Sequence, residues 1–173
     1  MKKGITLIGM PGAGKTAVGQ KLAQKLGLVF VDLDNIIFER TGQMVNEYLS
    51  EHGEKDLLRL QENLVLGLNL EGKIFAPGGS IIYSDAAMGK IKGETYIIFL
   101  NVPLSTLKKR REEDSKGMIE LKNDKLGYLF DERLALYKKY ADLTLEVWDE
   151  SVEQIEGRII KVIASKKEKF AKN

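Results

Sequence analysis

The chain has 173 residues, 43% of them hydrophobic and 30% charged, which is enough for the core of one soluble globular domain. Its 27 Lys and Arg against 25 Asp and Glu leave a net charge of +2, which argues against a dedicated nucleic-acid or membrane surface. The absence of cysteine excludes disulfides, thiolate catalysis and zinc–thiolate sites, and the single histidine, His52, cannot build a histidine metal centre alone.

In chain order, Ile5–Ile8 is predicted as a buried strand, and 14–26 as a helix with Val18, Leu22 and Leu26 on one face. Lys2-Lys3 before that strand has the charge of a secretory signal, but the apolar run is too short and passes straight into a glycine-rich turn. With no run long enough to span a membrane, a single domain over 1–173, monomeric and cytoplasmic, with no nucleic-acid or membrane partner, is expected. Residues 28–31 form a short second strand ending at Asp32. Short helices come next at 35–40 and 45–51, broken at Thr41-Gly42, and then a longer one over 55–70 carrying Leu57, Leu60, Leu64 and Leu68. Lys73–Ala76 is a third strand running into Pro77-Gly78-Gly79. Residues 84–91 read as a helix with Ser84 as its N-cap. The clearest central strand is 95–100, and Pro103 can open the helix that runs from it to about Glu113. Residues 114–124 are polar and weakly patterned, 126–140 helical, 143–147 a last strand and 152–164 a last helix, with a lysine-rich tail from Ser165 that is expected to fray. Five strands alternating with helices predict an α/β fold, a parallel sheet in a three-layer α/β/α sandwich.

The turn after the first strand reads GMPGAGKT from Gly9 to Thr16, matching the phosphate-loop pattern G-x-x-x-x-G-K-S/T at every fixed position. Strand, glycine turn and helix N-terminus are the context this motif requires, because glycines let backbone N–H groups approach phosphate oxygens. Gly12, Ala13, Gly14, Lys15, Thr16 and Ala17 are therefore the expected nucleotide contacts. Lys15 should stand exposed in the loop and reach the terminal phosphates, and the Thr16 hydroxyl is placed for Mg²⁺. Ligands bind beyond the carboxyl ends of such strands, and the aspartates after strand two and Gly78-Gly79 after strand three lie at that same edge. Read as extended chain, Asp32-Leu33-Asp34 points two carboxylates the same way, Asp32 toward the metal and Asp34 toward a substrate hydroxyl; the competing reading makes Asp34 a helix N-cap. Gly78 and Gly79 permit close approach to a ligand, with a plain β-turn as the alternative. Arg110 and Lys116 are candidate cations over the phosphates, whereas Arg133, inside Asp131-Glu132-Arg133, would by default be a salt-bridged surface residue.

These motifs, in this order, resemble the shikimate kinase family of small phosphate-loop (P-loop NTPase-type) kinases, from the N-terminus to about Ala164. The likeness rests on GMPGAGKT, Asp32-Leu33-Asp34, Thr41-Gly42 with Gly53-Glu54, Gly78-Gly79, Arg110, and Glu132-Arg133-x-x-x-Tyr137 with Tyr140-Ala141-Asp142. It implies a strand order of 2-3-1-4-5, ATP as donor with Mg²⁺, a lid over 112–124, Asp34, Gly78, Gly79 and Arg133 as substrate contacts, and Arg110 on the adenine side. Four positions depart from the family pattern. The third glycine of the triplet is Ser80, a family proline is Ala135, and the lid's Arg-Pro is nearest to Lys116-Gly117. Counting without a gap from Gly53-Glu54 also puts Leu58 where the family has its first substrate arginine, with Arg59 one residue late. A slip of one residue would restore Arg59 and bring Glu62 onto the family's following glutamate; that slip is the favoured reading. All four departures fall on the acceptor and lid side. The expected function is ATP-dependent phosphorylation of a carboxylate-bearing small molecule, shikimate first, with Lys15 and Asp34 catalytic, Thr16 and Asp32 on the metal, and Arg59 and Arg133 on the acceptor carboxylate. A related kinase for homoserine or gluconate, and a nucleotide-binding switch without an acceptor, are the alternatives.

Overall fold

The computed structural model describes the backbone of residues 4–114 and 123–170, and the side chains of 4–110 and 126–165. β1 (Gly4–Ile8), β2 (Val29–Asp32), β3 (Lys73–Ala76), β4 (Thr95–Asn101) and β5 (Leu143–Glu146) form one sheet in the order β2-β3-β1-β4-β5. Every pairing in it is parallel. The predicted architecture and strand order are both observed. β1 and β4 are apolar at nearly every position because parallel strands are covered on both faces, and Leu7, Ile97, Ile98 and Leu100 are wholly buried. Two hydroxyls interrupt this core, and they satisfy each other: Thr6 and Thr95 lie 2.8 Å apart, and Thr95 also donates to the Ile91 carbonyl.

The helices are α1 (Lys15–Leu26), α2 (Leu33–Thr41), α3 (Val45–Gly67), α4 (Asp85–Glu94), α5 (Leu104–Asp114), α6 (Asn123–Tyr140) and α7 (Val152–Phe170). α1 packs on α7 and on β1, β2 and β3, while α4 packs on α3 and β4, and α6 on β4. Ser84 caps α4 as expected, its hydroxyl accepting from the Ala87 N–H. No helix among the described residues is long and apolar enough to cross a membrane.

Three local expectations are corrected. α2 begins at Leu33, so Asp34 lies in a first helical turn and not in extended chain, and Asp32 is the N-cap that accepts from the Asp34 N–H at 3.0 Å. The two helices expected at 45–51 and 55–70 run into one another as α3, broken only at Gly53 (φ 83°), and the second ends at Gly67. α7 continues past Ala164 to Phe170, through the first part of the expected tail. The expected lid starts in the last turn of α5 and ends in the first turn of α6; its middle, including Lys116, lies outside the described residues.

Helical glycines separate packing from propensity here. A Cβ on Gly19 of α1 would lie 2.4 Å from the Phe30 ring, whereas one on Gly89 of α4 would meet nothing within 4 Å. Gly19→Ala is therefore expected to destabilise the fold by about 1–3 kcal/mol through overpacking. Gly89→Ala should stabilise it by about 0.5–1 kcal/mol through helix propensity. Urea unfolding of the two variants checks the pair; equal shifts would show that α1 does not press on β2 in this way.

Candidate active site

The phosphate loop leaves the central strand and turns into α1 with no side-chain cap. Gly14 occupies the N-cap position in the left-handed region (φ 91°), open to glycine without strain, so no side-chain group occupies the helix N-terminus where an anion would bind. Ala13 is fully buried and closes the turn by donating its N–H to the Met10 carbonyl at 3.1 Å, and Ala17 is exposed in the first turn of α1.

Lys15 is not the exposed residue that the sequence predicted. It is half-buried, and Nζ donates to the carbonyls of Gly9 and Met10, both at 3.0 Å. Burial lowers its pKa from 10.5 to about 8; Asp34 and then Asp32 oppose that shift, and Arg133 adds to it. These four charged groups therefore act on one another across one crevice. Asp34 is exposed at that crevice, yet desolvation by the nearby protein and then the Asp32 charge raise its pKa, with Lys15 opposing. Asp32 meets the loop from the other side, its Oδ2 accepting from Thr16 Oγ1 at 2.8 Å. The two carboxylates converge as expected, by a helical turn on an N-cap in place of an extended chain.

The residues after β3 form the floor. Neither Gly78 nor Gly79 has a positive φ, so a plain turn would not require glycine at either position. Crowding does. A Cβ on Gly78 would lie 2.8 Å from Gln61 Nε2 and 3.3 Å from Asp34 Oδ1. One on Gly79 would lie 3.1 Å from Arg133 Nη1 and 3.3 Å from both Pro11 and the Tyr137 hydroxyl. The missing side chains thus leave a notch in the chain into which a carboxylate, an amide and a guanidinium close.

Arg133 comes from α6 and is half-buried over this notch, with Nε donating to the Tyr83 hydroxyl at 3.2 Å. Among the described residues it has no carboxylate within ion-pair distance, so the salt-bridged surface role is not what it adopts. Tyr137, one turn further along α6, is 1% exposed, stacks on Phe99 and donates to the Gly79 carbonyl at 2.9 Å. Arg110 of α5 lies over the phosphate loop, donating from Nη1 to the Gly12 carbonyl at 3.1 Å.

Arg59 is not brought to the site. Its side chain is 73% exposed and its guanidinium donates to Asp56 at 2.7 Å. Leu57, Gln61 and Val65 form the buried face of α3, and Arg59 stands two steps, roughly 200°, from Gln61 around the helix. Glu62 is occupied by Ser84, whose hydroxyl donates to it. The favoured slip, which needed Arg59 to face the site, is therefore not what the structure shows. What the sequence reading missed is Gln61, 1% exposed, whose Oε1 accepts from Ser80 Oγ at 2.8 Å. The signal was available: Gln61 shares the buried face of Leu57 at helical spacing, and a polar residue on such a face needs a partner.

The donors near Thr16 suit Mg²⁺. Two hard oxygens from Thr16 and Asp32 meet, and among the described residues no cluster of three His, Cys, Asp or Glu could cage a metal alone. Mg²⁺ is the ion that keeps water and takes phosphate oxygens beside one or two protein ligands.

A shikimate kinase family model matches residues 11–164. A shikimate kinase of Enterococcus faecalis is 30% identical over 160 residues, covering 90% of this chain and 95% of the relative. In three dimensions the chain superposes on a shikimate kinase from Acinetobacter baumannii, determined in complex with shikimate, with a TM-score of 0.88 at 27% identity, over 95% of this chain and 94% of that one. A gluconokinase from Sinorhizobium meliloti shares the fold alone, with a TM-score of 0.59 at 18% identity, over 98% of this chain and 96% of that one. Motif order, strand order and the match over nearly the whole domain agree: this chain belongs to the shikimate kinase family.

Proposed function

We propose that this chain transfers the terminal phosphoryl group of ATP to a hydroxyl of shikimate, giving ADP and shikimate 3-phosphate. The observation that carries the reading is the convergence of Lys15, Asp34 and Arg133 on the notch at Gly78-Gly79. A phosphate-binding cation, a carboxylate with a raised pKa and a guanidinium with no carboxylate partner among the described residues are what phosphoryl transfer to a hydroxy acid needs in one place.

Each group has a task. Lys15 and the N–H groups of the α1 N-terminus stabilise charge on the transferring phosphoryl. Asp34 orients the acceptor hydroxyl and takes its proton as the oxygen bonds to phosphorus and ADP leaves. Gly78 and Gly79 give the acceptor room beside Asp34. Arg133 binds the acceptor carboxylate through a fork, since a desolvated anion left unpaired is costly. Arg110 supports the nucleotide from above the loop. Thr16 and Asp32 would hold Mg²⁺, which supplies neutralisation of phosphate charge when bound. No observation favours a homoserine or gluconate kinase, or an acceptor-free switch; a panel of acceptors in a coupled ADP-release assay tests the reading, and only shikimate should stimulate turnover strongly.

The shifted groups set a pH profile. Lys15 must be cationic to bind phosphate, and its pKa in the free protein is about 8. Proton loss above that value should weaken nucleotide capture, giving kcat/KM for ATP an alkaline limb near pH 8. For the fold the sign is reversed: the native state binds fewer protons than the unfolded chain between about 8 and 10.5, so Lys15 contributes a stability gain as pH rises through that window. Lys15→Ala should lower turnover by roughly 100-fold or more and remove the alkaline limb. A flat profile to pH 9.5 would count against the assignment.

For Asp34 the raised pKa predicts an acid limb in kcat/KM for the acceptor that is shifted upward from that of an ordinary aspartate. Asp34→Asn should abolish that limb and most of the turnover while nucleotide affinity, read by titration calorimetry, holds. Loss of nucleotide affinity with intact acceptor kinetics would assign Asp34 to the metal instead.

The two arginines separate by placement. Arg133→Ala should raise acceptor KM by the equivalent of about 1.5–3 kcal/mol, the value of a hydrogen bond to a charged group. Arg133→Lys should recover only part of that loss, since lysine has no fork. Arg59→Ala, which removes only an exposed ion pair, should leave acceptor KM unchanged and stability within about 0.5 kcal/mol. Steady-state kinetics with varied shikimate decide; an acceptor defect in Arg59→Ala alone would restore the slipped register.

A further inference from the structure

We infer that Tyr83 is a positioning residue for the acceptor site: it aims the Arg133 guanidinium into the notch and takes the supporting place that no second arginine fills among the described residues. The inference rests on the reading of Arg133 as the group that binds the acceptor carboxylate.

Two separate contacts join the side chains. Nε–H of Arg133 donates to the Tyr83 hydroxyl at 3.2 Å, and Cζ lies 5.3 Å from the centroid of the Tyr83 ring. The hydrogen bond fixes which edge of the guanidinium is used, and the ring contact adds a cation–π attraction that restrains where the group can lie. With Nε turned to Tyr83, the edge formed by the two terminal nitrogens is the one that faces Gly79, where Nη1 lies 3.1 Å from a Cβ position and has the Tyr137 hydroxyl beside it, a neighbour that further fixes that edge for a forked contact. An isolated arginine would populate many rotamers and lose that freedom on binding; one held in advance loses less.

The chain places Tyr83 where this can work. It ends the 3-10 turn Ile81–Tyr83 that comes after Gly78-Gly79-Ser80, and its N–H donates to the Ser80 carbonyl at 3.1 Å. The same glycine segment receives the Tyr137 hydroxyl from α6 at 2.9 Å. Tyr83 and Arg133 are thus carried by two elements already pinned to one another. Tyr83 is not a core residue, being 36% exposed. Its phenol stays protonated: burial raises its pKa, Arg133 lowers it, and Glu132 raises it. On α3 the position that could have offered a second guanidinium is Leu58, while Arg59 is paired with Asp56.

Tyr83→Phe keeps the ring and removes the oxygen. Acceptor KM should rise about tenfold, the loss of one hydrogen bond to a charged group, with kcat within about twofold. The KM for ATP should not change, and the melting temperature should hold within about 2 °C. Tyr83→Leu removes the ring as well and should raise acceptor KM about threefold further. The decisive measurement is a double-mutant cycle. In an Arg133→Lys background Tyr83→Phe should change acceptor KM by less than about twofold, because lysine has no Nε–H to be aimed. An equal rise in both backgrounds, an unchanged KM in Tyr83→Phe alone, or a loss of kcat that tracks a fall in melting temperature would each overturn the inference. If Arg133→Ala itself leaves acceptor KM unchanged, the reading of Arg133 fails and this one falls with it. If Arg133→Ala raises KM and Tyr83→Phe does not, only the role of Tyr83 is wrong.

Discussion

An ammonium group drawn partly out of water keeps its charge only where anions face it, and Lys15 is held under that constraint. Its pKa falls to about 8 through burial, with Asp34 and Asp32 pulling the other way. Strand order makes the arrangement possible. β3 lies between β1 and β2, so the phosphate loop after β1 and the aspartates after β2 face each other across the end of β3. Until phosphate arrives, Lys15 is satisfied by the Gly9 and Met10 carbonyls of its own loop, and Thr16 by Asp32. On the proposed function, these are the hydrogen bonds that a nucleotide and its metal would replace, in a site organised before it is filled.

The segment leaving β3 has to take up little room at that edge. Gly78 and Gly79 have ordinary backbone conformations, and their lack of a side chain matters because Gln61, Asp34, Pro11, Arg133 and Tyr137 crowd the space a Cβ would take. The buried Tyr137 hydroxyl and the Ser80–Gln61 pair tie the segment to α6 and α3. Polar groups on the floor are therefore satisfied from behind, which leaves the front of the notch to a ligand.

The nucleotide side and the acceptor side are built differently. Around the phosphates, the loop, Lys15, Thr16 and Arg110 lie where the family pattern places them in sequence. Around the acceptor, Leu58 stands at an arginine position, Ser80 at a glycine position, and the exposed Arg59 spends its charge on Asp56. Arg133 remains as the forked cation at the notch among the described residues, with Tyr83 against it. With one fork there among the described residues, how well that fork is held matters the more.

The sequence alone determined the sheet and its alternation with helices, the phosphate loop, and the segments whose ends carry the site, because these arise from local signals: apolar runs, glycine spacing and a motif read within a few residues. It also determined that Asp32 and Asp34 belong together, though by an extended geometry that α2 does not have. Tertiary structure decided what depends on rotation and on contacts far apart in the chain. Whether Leu58 or Arg59 faces inward turns on one helical step of roughly 100°, and the burial of Leu57, Gln61 and Val65 in the folded chain decided it. The enclosure of Lys15, the partner of Gln61 on Ser80, and the seat of Arg133 on Tyr83 join residues that only the folded sheet brings into contact, and no local pattern encodes them.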